Sequence, residues 1–310
     1  MSASSASRDV VGVAPAGATP TRRGRAPWFN LGTALILPAF AFIFVLLIGP
    51  LGYTIYLAVH EADYLAIGEF IGLENFLKVL SNPDIVRSIW LTFVISLVGL
   101  AVSMVAGVAL ALWVERLRGG MAYALQLVGL VPWVTSMVVG GLLWKWLLDP
   151  DLGLVNYVLR GIGLGGIDIY ATAASAIWAV TLVMAWRTIG YAMVMTLAGL
   201  KSIPGEIIEA GQVDGASARQ ILFRIKLPMM KTPLLISSIV LFMSNFNNVV
   251  IPMVLTGGGP GNATTVSSLQ LYRMAFNYYQ FGEASALSLV LFAVNTVLTV
   301  VYIKAMRYAN

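Results

Sequence analysis

The residues best suited to chemistry form one polar segment, Glu206–Pro228, in the second half of an otherwise apolar chain. Glu206 and Glu209 lie where a helix would begin, and carboxylates there interact favourably with the positive end of the helix dipole. Pro204 suits the first turn of that helix. Gly215 interrupts the helical pattern, which then resumes. The chemistry predicted here is recognition: two helices joined by a tight glycine turn, small enough to fit a groove in a partner.

Side chains that commonly perform catalysis are scarce. The chain has no Cys and one His, His60, which excludes thiol nucleophiles, disulfides and a histidine cluster for a metal. No GxxxxGK[ST] motif occurs, and the glycine-rich stretch 257–261 lacks a Lys, so it is interpreted as a turn. We therefore predict no catalytic residue, no metal and no cofactor bound by this chain.

The net charge of +5 does not by itself imply nucleic acid, because the positions of the charges matter more than their sum, and we predict no such partner.

The composition indicates a multi-pass membrane protein. Hydrophobic residues make up 59% of the chain and charged residues 11%, against about 25% charged in soluble domains. A spanning helix needs about 20 apolar residues. We predict an all-α fold with six spanning helices, near Leu31–Val59, Ser88–Val114, Ala122–Leu148, Ala173–Ala198, Leu234–Leu255 and Ala284–Met306.

The distribution of Lys and Arg predicts the orientation. Most of them lie on one side if both termini are cytoplasmic, which is the positive-inside arrangement. Residues 1–30 are rich in Ser, Ala, Gly and Pro and are predicted to be a disordered cytoplasmic tail. Residues 31–306 are then a six-helix domain with a cytoplasmic loop at 203–228, followed by a short tail at 307–310. We call residues 203–228 the polar loop.

The polar loop resembles a known motif. Glu209-Ala210-Gly211, three residues, Gly215, nine residues, Ile225, one residue and Leu227-Pro228 follow the pattern EAA-x3-G-x9-I-x-LP. This is the EAA loop of the membrane subunits of binding-protein-dependent ABC importers, with Gly211 in place of the third-position Ala. The resemblance assigns ATPase coupling to Glu206, Glu209, Ala210, Gly211, Asp214, Gly215, Ala216, Leu227 and Pro228.

Two further stretches are similar to the sugar-importing branch of these permeases, the maltose and glycerol-3-phosphate type. They are Leu255-Thr256-Gly257-Gly258-Gly259-Pro260 with the aromatic residues that follow it, and Trp186-Arg187. The resemblance implies a type I ABC importer permease fold in a bacterial or archaeal cell membrane. It also implies a cytoplasmic ATPase dimer that binds ATP and Mg, a second homologous permease subunit, and an extracytoplasmic binding protein that delivers a sugar-like solute.

Polar and aromatic residues inside the spans are candidates for the solute pathway, because a polar group in hydrocarbon should face protein or water. Amides suit sugar hydroxyls and aromatic faces suit a pyranose ring. An equally open alternative for each Asn is hydrogen bonding between helices. Arg187 should line a cavity or pair with a carboxylate or with carbonyls, and it either recognises an anionic group or is structural. The candidates are Trp178, Trp186, Arg187, Tyr191, Asn245, Phe246, Asn248, Ser288 and Asn295.

Two other classes of protein fit the sequence less well. An ion-coupled secondary transporter needs carboxylates inside its spans, and the predicted spans hold none away from their ends. A membrane-embedded enzyme needs clustered acids, and Asp63, Asp149, Asp151 and Asp168 form no paired motif. The sequence leaves open the identity of the solute and whether the second permease is a different chain.

Overall fold

The computed structural model describes residues 31–64 and 66–309. The predicted tail at 1–30 lies outside these residues. Helix α1, Leu31–Ala58, contains Pro38 and Pro50. Residues up to Gly52 form one unit and those from Tyr53 onward form another.

In residues 31–64 and 66–309, four helices are long and apolar enough to cross a membrane. They coincide with the first, second, fourth and sixth predicted spans, because each predicted span is a long apolar run without a strong helix breaker at its centre. Their bounds are Leu31–Ala58 for α1, Pro83–Glu115 for α3, Ala173–Lys201 for α7 and Phe281–Ala309 for α14.

The third predicted span is not one straight helix. Helices α4, Gly120–Val134, and α5, Met137–Leu147, meet at an angle of 98°. Pro132 in the last turn of α4 has no N–H to donate, and Thr135 after it is extended. The prediction of a single span over Ala122–Leu148 missed this break.

The fifth predicted span, Leu234–Leu255, is also two helices. Helix α11, Lys231–Phe246, stops before Asn247, and a short helix α12, Val250–Leu255, follows. At its other end α11 is bent by 67° from the helical turns that precede it. If each bent pair is one span, the described residues contain up to six candidate spans.

The connections between long helices are partly ordered. A two-stranded antiparallel hairpin of β1, His60–Asp63, and β2, Ala66–Phe70, follows α1, so the all-α prediction was wrong at this point. Three short helices also lie in connections outside the polar loop. They are α2, Glu74–Ser81, α6, Leu154–Gly161, and α13, Ser267–Phe276.

Helix α7 lies at the centre of the packing because it contacts α3, α4 and α11. Small residues allow these close approaches. A Cβ on Gly107 of α3 would lie 2.5 Å from the Cβ of Ala192, and one on Gly190 of α7 would overlap the Gly129 carbonyl of α4. Small residues at helix contacts are typical of membrane proteins, where backbones pack closely.

Candidate functional site

The first half of the polar loop is a helix that ends in a left-handed glycine. Helix α8, Gly205–Val213, is followed by Gly215 at φ +79°. The Gly215 N–H donates to the Gln212 carbonyl at 3.0 Å, and the next N–H, of Ala216, donates to the Gly211 carbonyl at 2.9 Å. These bonds satisfy carbonyls that a helix end leaves free. The predicted glycine turn is therefore present.

The second half of the polar loop restarts at Ser217. The Ser217 Oγ accepts from the Gln220 N–H at 3.3 Å, and Gln220 Oε1 accepts from the Ser217 N–H at 2.7 Å. This reciprocal capping box starts helix α9, Ala218–Gln220. A π-helical turn, Ile221–Lys226, and helix α10, Leu227–Met229, complete the segment.

The two halves of the polar loop pack closely at Gly211, where the chain departs from the EAA pattern. A Cβ on Gly211 would lie 2.9 Å from Cδ1 of Ile225, so alanine there would push the end of that side chain aside. Glycine at the third position therefore brings α8 and the π-helical turn close together. By contrast, a Cβ on Gly215 would meet open space, and its requirement for glycine is conformational.

An ion pair that the sequence analysis missed ties the polar loop to α3. Lys226 Nζ lies 2.7 Å from both carboxylate oxygens of Glu115, the last residue of α3. Both side chains are partly exposed, at 17% and 30%. The two residues are 111 positions apart, and no local pattern could have paired them. The ion pair is therefore a direct contact between the polar loop and the end of α3.

Two of the predicted pathway residues line a groove of about 380 Å³ between the α11 break, α13 and α14. Asn295 and Asn247 exchange amide hydrogen bonds there, at 3.3 and 3.4 Å, and Ser288 lies along the same groove. Aromatic side chains of Tyr272, Phe276 and Phe292 complete much of the lining. Asn247 was not among the predicted candidates, although it lies in the same asparagine-rich stretch.

The other residues of that stretch point elsewhere. Asn245 is 3% exposed, and its Nδ2 lies against Gly99 without a hydrogen-bond partner among the described residues. Phe246 is buried in the apolar core. Asn248 Oδ1 accepts from the Ile251 N–H, in the first turn of α12, at 3.0 Å. The structure thus keeps all three out of the groove.

Arg187 and two of the aromatic candidates on α7, Trp186 and Tyr191, contact tryptophans of α4 and α5. Arg187 Nη2 donates to the Trp133 carbonyl at 3.2 Å, and the guanidinium carbon lies 5.4 Å from the centre of the Trp133 ring. Tyr191 packs on Trp133 at 4.6 Å, and Trp186 meets Trp144 edge to face at 5.5 Å. Arg187 therefore binds a carbonyl just before the α4–α5 break, as the carbonyl alternative predicted.

Trp178 stands apart from the other candidates. It is 54% exposed and lines an apolar groove between α3 and α7 with Val94 and Val98. The structure does not place it near Arg187 or near the Asn247–Asn295 groove.

The glycine-rich stretch after α12 is a turn, as predicted. Gly257, Gly258 and Gly261 have positive φ, and the Gly259–Pro260 peptide is cis. Arg273 of α13 holds the turn, with Nη2 donating to the Gly257 carbonyl at 2.5 Å.

The connection after α5 is held by hydrogen bonds of its own. The carboxylate of Asp149 accepts the N–H groups of Leu152 and Asp151, at 2.9 and 3.0 Å, and these bonds lower the pKa of Asp149. Asn156 of α6 is fully buried, and its amide donates to the Asp149 and Ile167 carbonyls at 2.8 and 2.9 Å. No local sequence pattern predicts these hydrogen bonds of Asn156.

Comparison with known proteins identifies the family to which most of the chain belongs. The family model of the binding-protein-dependent transport system inner membrane component matches residues 33–305. The trehalose/maltose transport system permease protein MalF of Thermococcus litoralis is 32% identical over 284 residues, which cover 90% of this chain and 94% of that protein. The sulfoquinovosyl glycerol transport system permease protein SmoG of Agrobacterium fabrum is 30% identical over 287 residues, which cover 90% and 93%.

The fold has a solved counterpart. A chain of a bacterial alginate ABC transporter, crystallised in complex with an alginate pentasaccharide-bound periplasmic protein, aligns with a TM-score of 0.76 at 22% identity. The alignment covers 88% of this chain and 92% of that chain. The fold is therefore that of an ABC importer permease, and the chain belongs to the family of binding-protein-dependent transport system inner membrane components.

Proposed function

We propose that this chain is one permease subunit of an ATP-driven importer for a sugar or a related polyol. The observation that carries the proposal is the polar loop, in which the motif residues fold as two short helices around Gly215. Family membership over nearly the whole chain and the carbohydrate names of the relatives support the importer class and the class of solute.

The polar loop is the docking element for a cytoplasmic ATPase dimer, which would hold ATP and Mg. Glu206 and Glu209 lie on α8, and both are exposed. Asp214 and Gly215 form an exposed turn that a partner's groove could receive. The Glu115–Lys226 ion pair would pass a displacement of this loop to α3, which packs along α7. ATP-driven closure of the ATPase would in this way change the access of the solute path.

The solute path runs past the Asn247–Asn295 groove. Each amide offers a donor and an acceptor to hydroxyl groups, and Tyr272 and Phe276 offer ring faces. The two amides now satisfy each other at 3.3 and 3.4 Å, so a hydroxylated solute could replace that mutual pairing. A second homologous permease would supply the other half of the path, and an extracytoplasmic binding protein would deliver the solute.

The direct test is to purify the cognate binding protein, identify its bound solute by mass spectrometry, and measure uptake of that solute by cells with and without this chain. We expect a sugar or polyol whose uptake is lost when the chain is deleted and restored when it is supplied. A captured amino acid or metal chelate, or uptake that is unchanged in the deletion strain, would contradict the proposed function.

A further inference from the structure

A second groove, of about 730 Å³, lies between the end of α3, helix α8 and the π-helical turn of the polar loop. Its size falls within the range of about 300–1,000 Å³ that is common for small-molecule sites. Leu112, Ile208 and Leu222 give it an apolar side. The Glu115–Lys226 ion pair lies in its lining, but the proposed transport path assigns no occupant to this groove, which we call the basic groove.

The charge of the basic groove is positive. Glu115 is the one acid among the described residues that line it, and both of its oxygens are bound to Lys226 at 2.7 Å. Arg116 and Arg219 also line the groove, and both are exposed. In the described part of the chain neither guanidinium has a carboxylate partner, although that of Arg219 lies 6.0 Å from the Phe223 ring. Two positive charges therefore remain for a ligand.

The basic groove lies at the end of a long apolar helix. Trp113, two residues before the end of α3, is 53% exposed, and Phe223 on the π-helical turn is 58% exposed. An exposed Trp at the end of a spanning helix is typical of the membrane interface, where lipid headgroups lie. An apolar surface and two arginines without a carboxylate partner among the described residues therefore occur together at the end of this helix.

We propose that the basic groove binds the phosphate of an anionic phospholipid. Arg116 and Arg219 donate to the phosphate oxygens, and the upper part of an acyl chain lies along Leu112 and Ile208. Arginine suits this role because its planar fork matches phosphate oxygens. The apolar side distinguishes a lipid from a free phosphate ester, which would leave that side in water. The inference does not depend on the identity of the solute, and because the groove shares residues with the polar loop, it is tested on the chain without the ATPase.

The test measures lipid binding to the full-length chain by native mass spectrometry during titration with phosphatidylglycerol or phosphatidylcholine. The variant is R116Q/R219Q. Its matched control is R118Q/R224Q, which also removes one arginine after α3 and one from the polar loop, but neither of these lines the groove. All four arginines are exposed, so both double variants should fold like the wild type.

We expect phosphatidylglycerol to bind more tightly than phosphatidylcholine and R116Q/R219Q to weaken it about thirtyfold. A basic residue near an anionic headgroup is worth roughly a factor of five in affinity. The control should weaken binding several-fold less, because neither of its arginines lines the groove. Equal weakening in both variants, or equal binding of the two lipids, would overturn the proposal. So would full competition by soluble glycerophosphate at the concentration at which the lipid binds, since the occupant would then be a free phosphate ester.

Discussion

At the scale of single residues, the asparagines around the break after α11 have different roles although they are almost adjacent. Asn247 faces the groove and pairs with Asn295, whereas Asn248 is 6% exposed and accepts an N–H from the first turn of α12. The helix ends at Phe246, so the helical period that relates neighbouring side chains no longer applies after it. This division of roles yields two separable predictions.

The Asn247→Ala and Asn295→Ala variants should lower transport and leave stability nearly unchanged, because each removes one amide of the groove pair, of which Asn247 is exposed and Asn295 is partly buried. Because the two amides act as one pair, we expect uptake by the double variant to be at most about threefold lower than uptake by the poorer single variant. The measurement is the concentration dependence of uptake in membranes with equal amounts of the chain. Wild-type uptake in both single variants would remove this groove from the solute path.

The Asn248→Ala variant should instead lower stability. Loss of this hydrogen bond at the start of α12 should cost about 1 kcal/mol. The check is thermal unfolding in detergent beside the uptake assay, with Asn247→Ala as the control. A variant that unfolds like the wild type but fails to transport would show that Asn248 handles the solute.

At the scale of elements, the turn of the polar loop depends on the backbone of Gly215. At φ +79° an ordinary side chain costs roughly 1–2 kcal/mol, while Asn and Asp tolerate this region better. Gly215→Asn and Gly215→Asp form a matched pair of equal shape, and only the second adds a charge beside Asp214. We expect Gly215→Val to lose ATPase docking and Gly215→Asn to retain much of it.

The measurement for this series is co-purification of the ATPase beside solute uptake at equal membrane levels of the chain. The Gly215→Asp variant should retain less ATPase docking than Gly215→Asn and more than Gly215→Val. Its conformational cost is small, but it adds a charge beside Asp214. If Gly215→Val docks and transports normally, the turn is not a coupling element.

The Glu115–Lys226 ion pair gives a second prediction for the same element. The pair is partly exposed, so it contributes little to stability, roughly 0.2–1 kcal/mol. We expect Lys226→Glu to reduce uptake per ATP hydrolysed, and the exchanged pair Glu115→Lys with Lys226→Glu to recover part of it. Identical coupling in the single and the exchanged variants would mean that the pair does not link the polar loop to α3.

At the scale of the whole molecule, the orientation rests on the positions of Lys and Arg and is open to a direct test. Val213 in the polar loop is 87% exposed and Leu152 after α5 is 79% exposed. In this Cys-free chain, a cysteine at Val213 should react only from the cytoplasm and one at Leu152 only from outside. The reverse pattern of labelling with a membrane-impermeant maleimide would invert the proposed topology.

The long helices and the Gly215 turn were predictable from sequence for simple physical reasons. An apolar run as long as α7 has few alternatives in a membrane, and a glycine between two amphipathic stretches with fixed spacing leaves little choice of turn. The bend between α4 and α5 was not predictable, because Pro132 can kink a helix or end it depending on the packing around it.

The candidate site was predictable only in part, because its members come from distant elements. Ser288 and Asn295 were predicted and reach the groove, but Asn247 was overlooked. The partner of Lys226 lies 111 residues away, and the pairing follows only from the fold. Sequence spacing indicates which residues share a helix face but not which helices meet.

The most direct test of the account is uptake by proteoliposomes that contain this chain, its partner permease and the ATPase, with the loaded binding protein outside and ATP inside. We predict uptake only when ATP and the ATPase are both present, and no ATP hydrolysis by this chain alone. An ion gradient without ATP should drive nothing. Uptake by this chain alone under a proton or sodium gradient would contradict the account and identify an ion-coupled transporter.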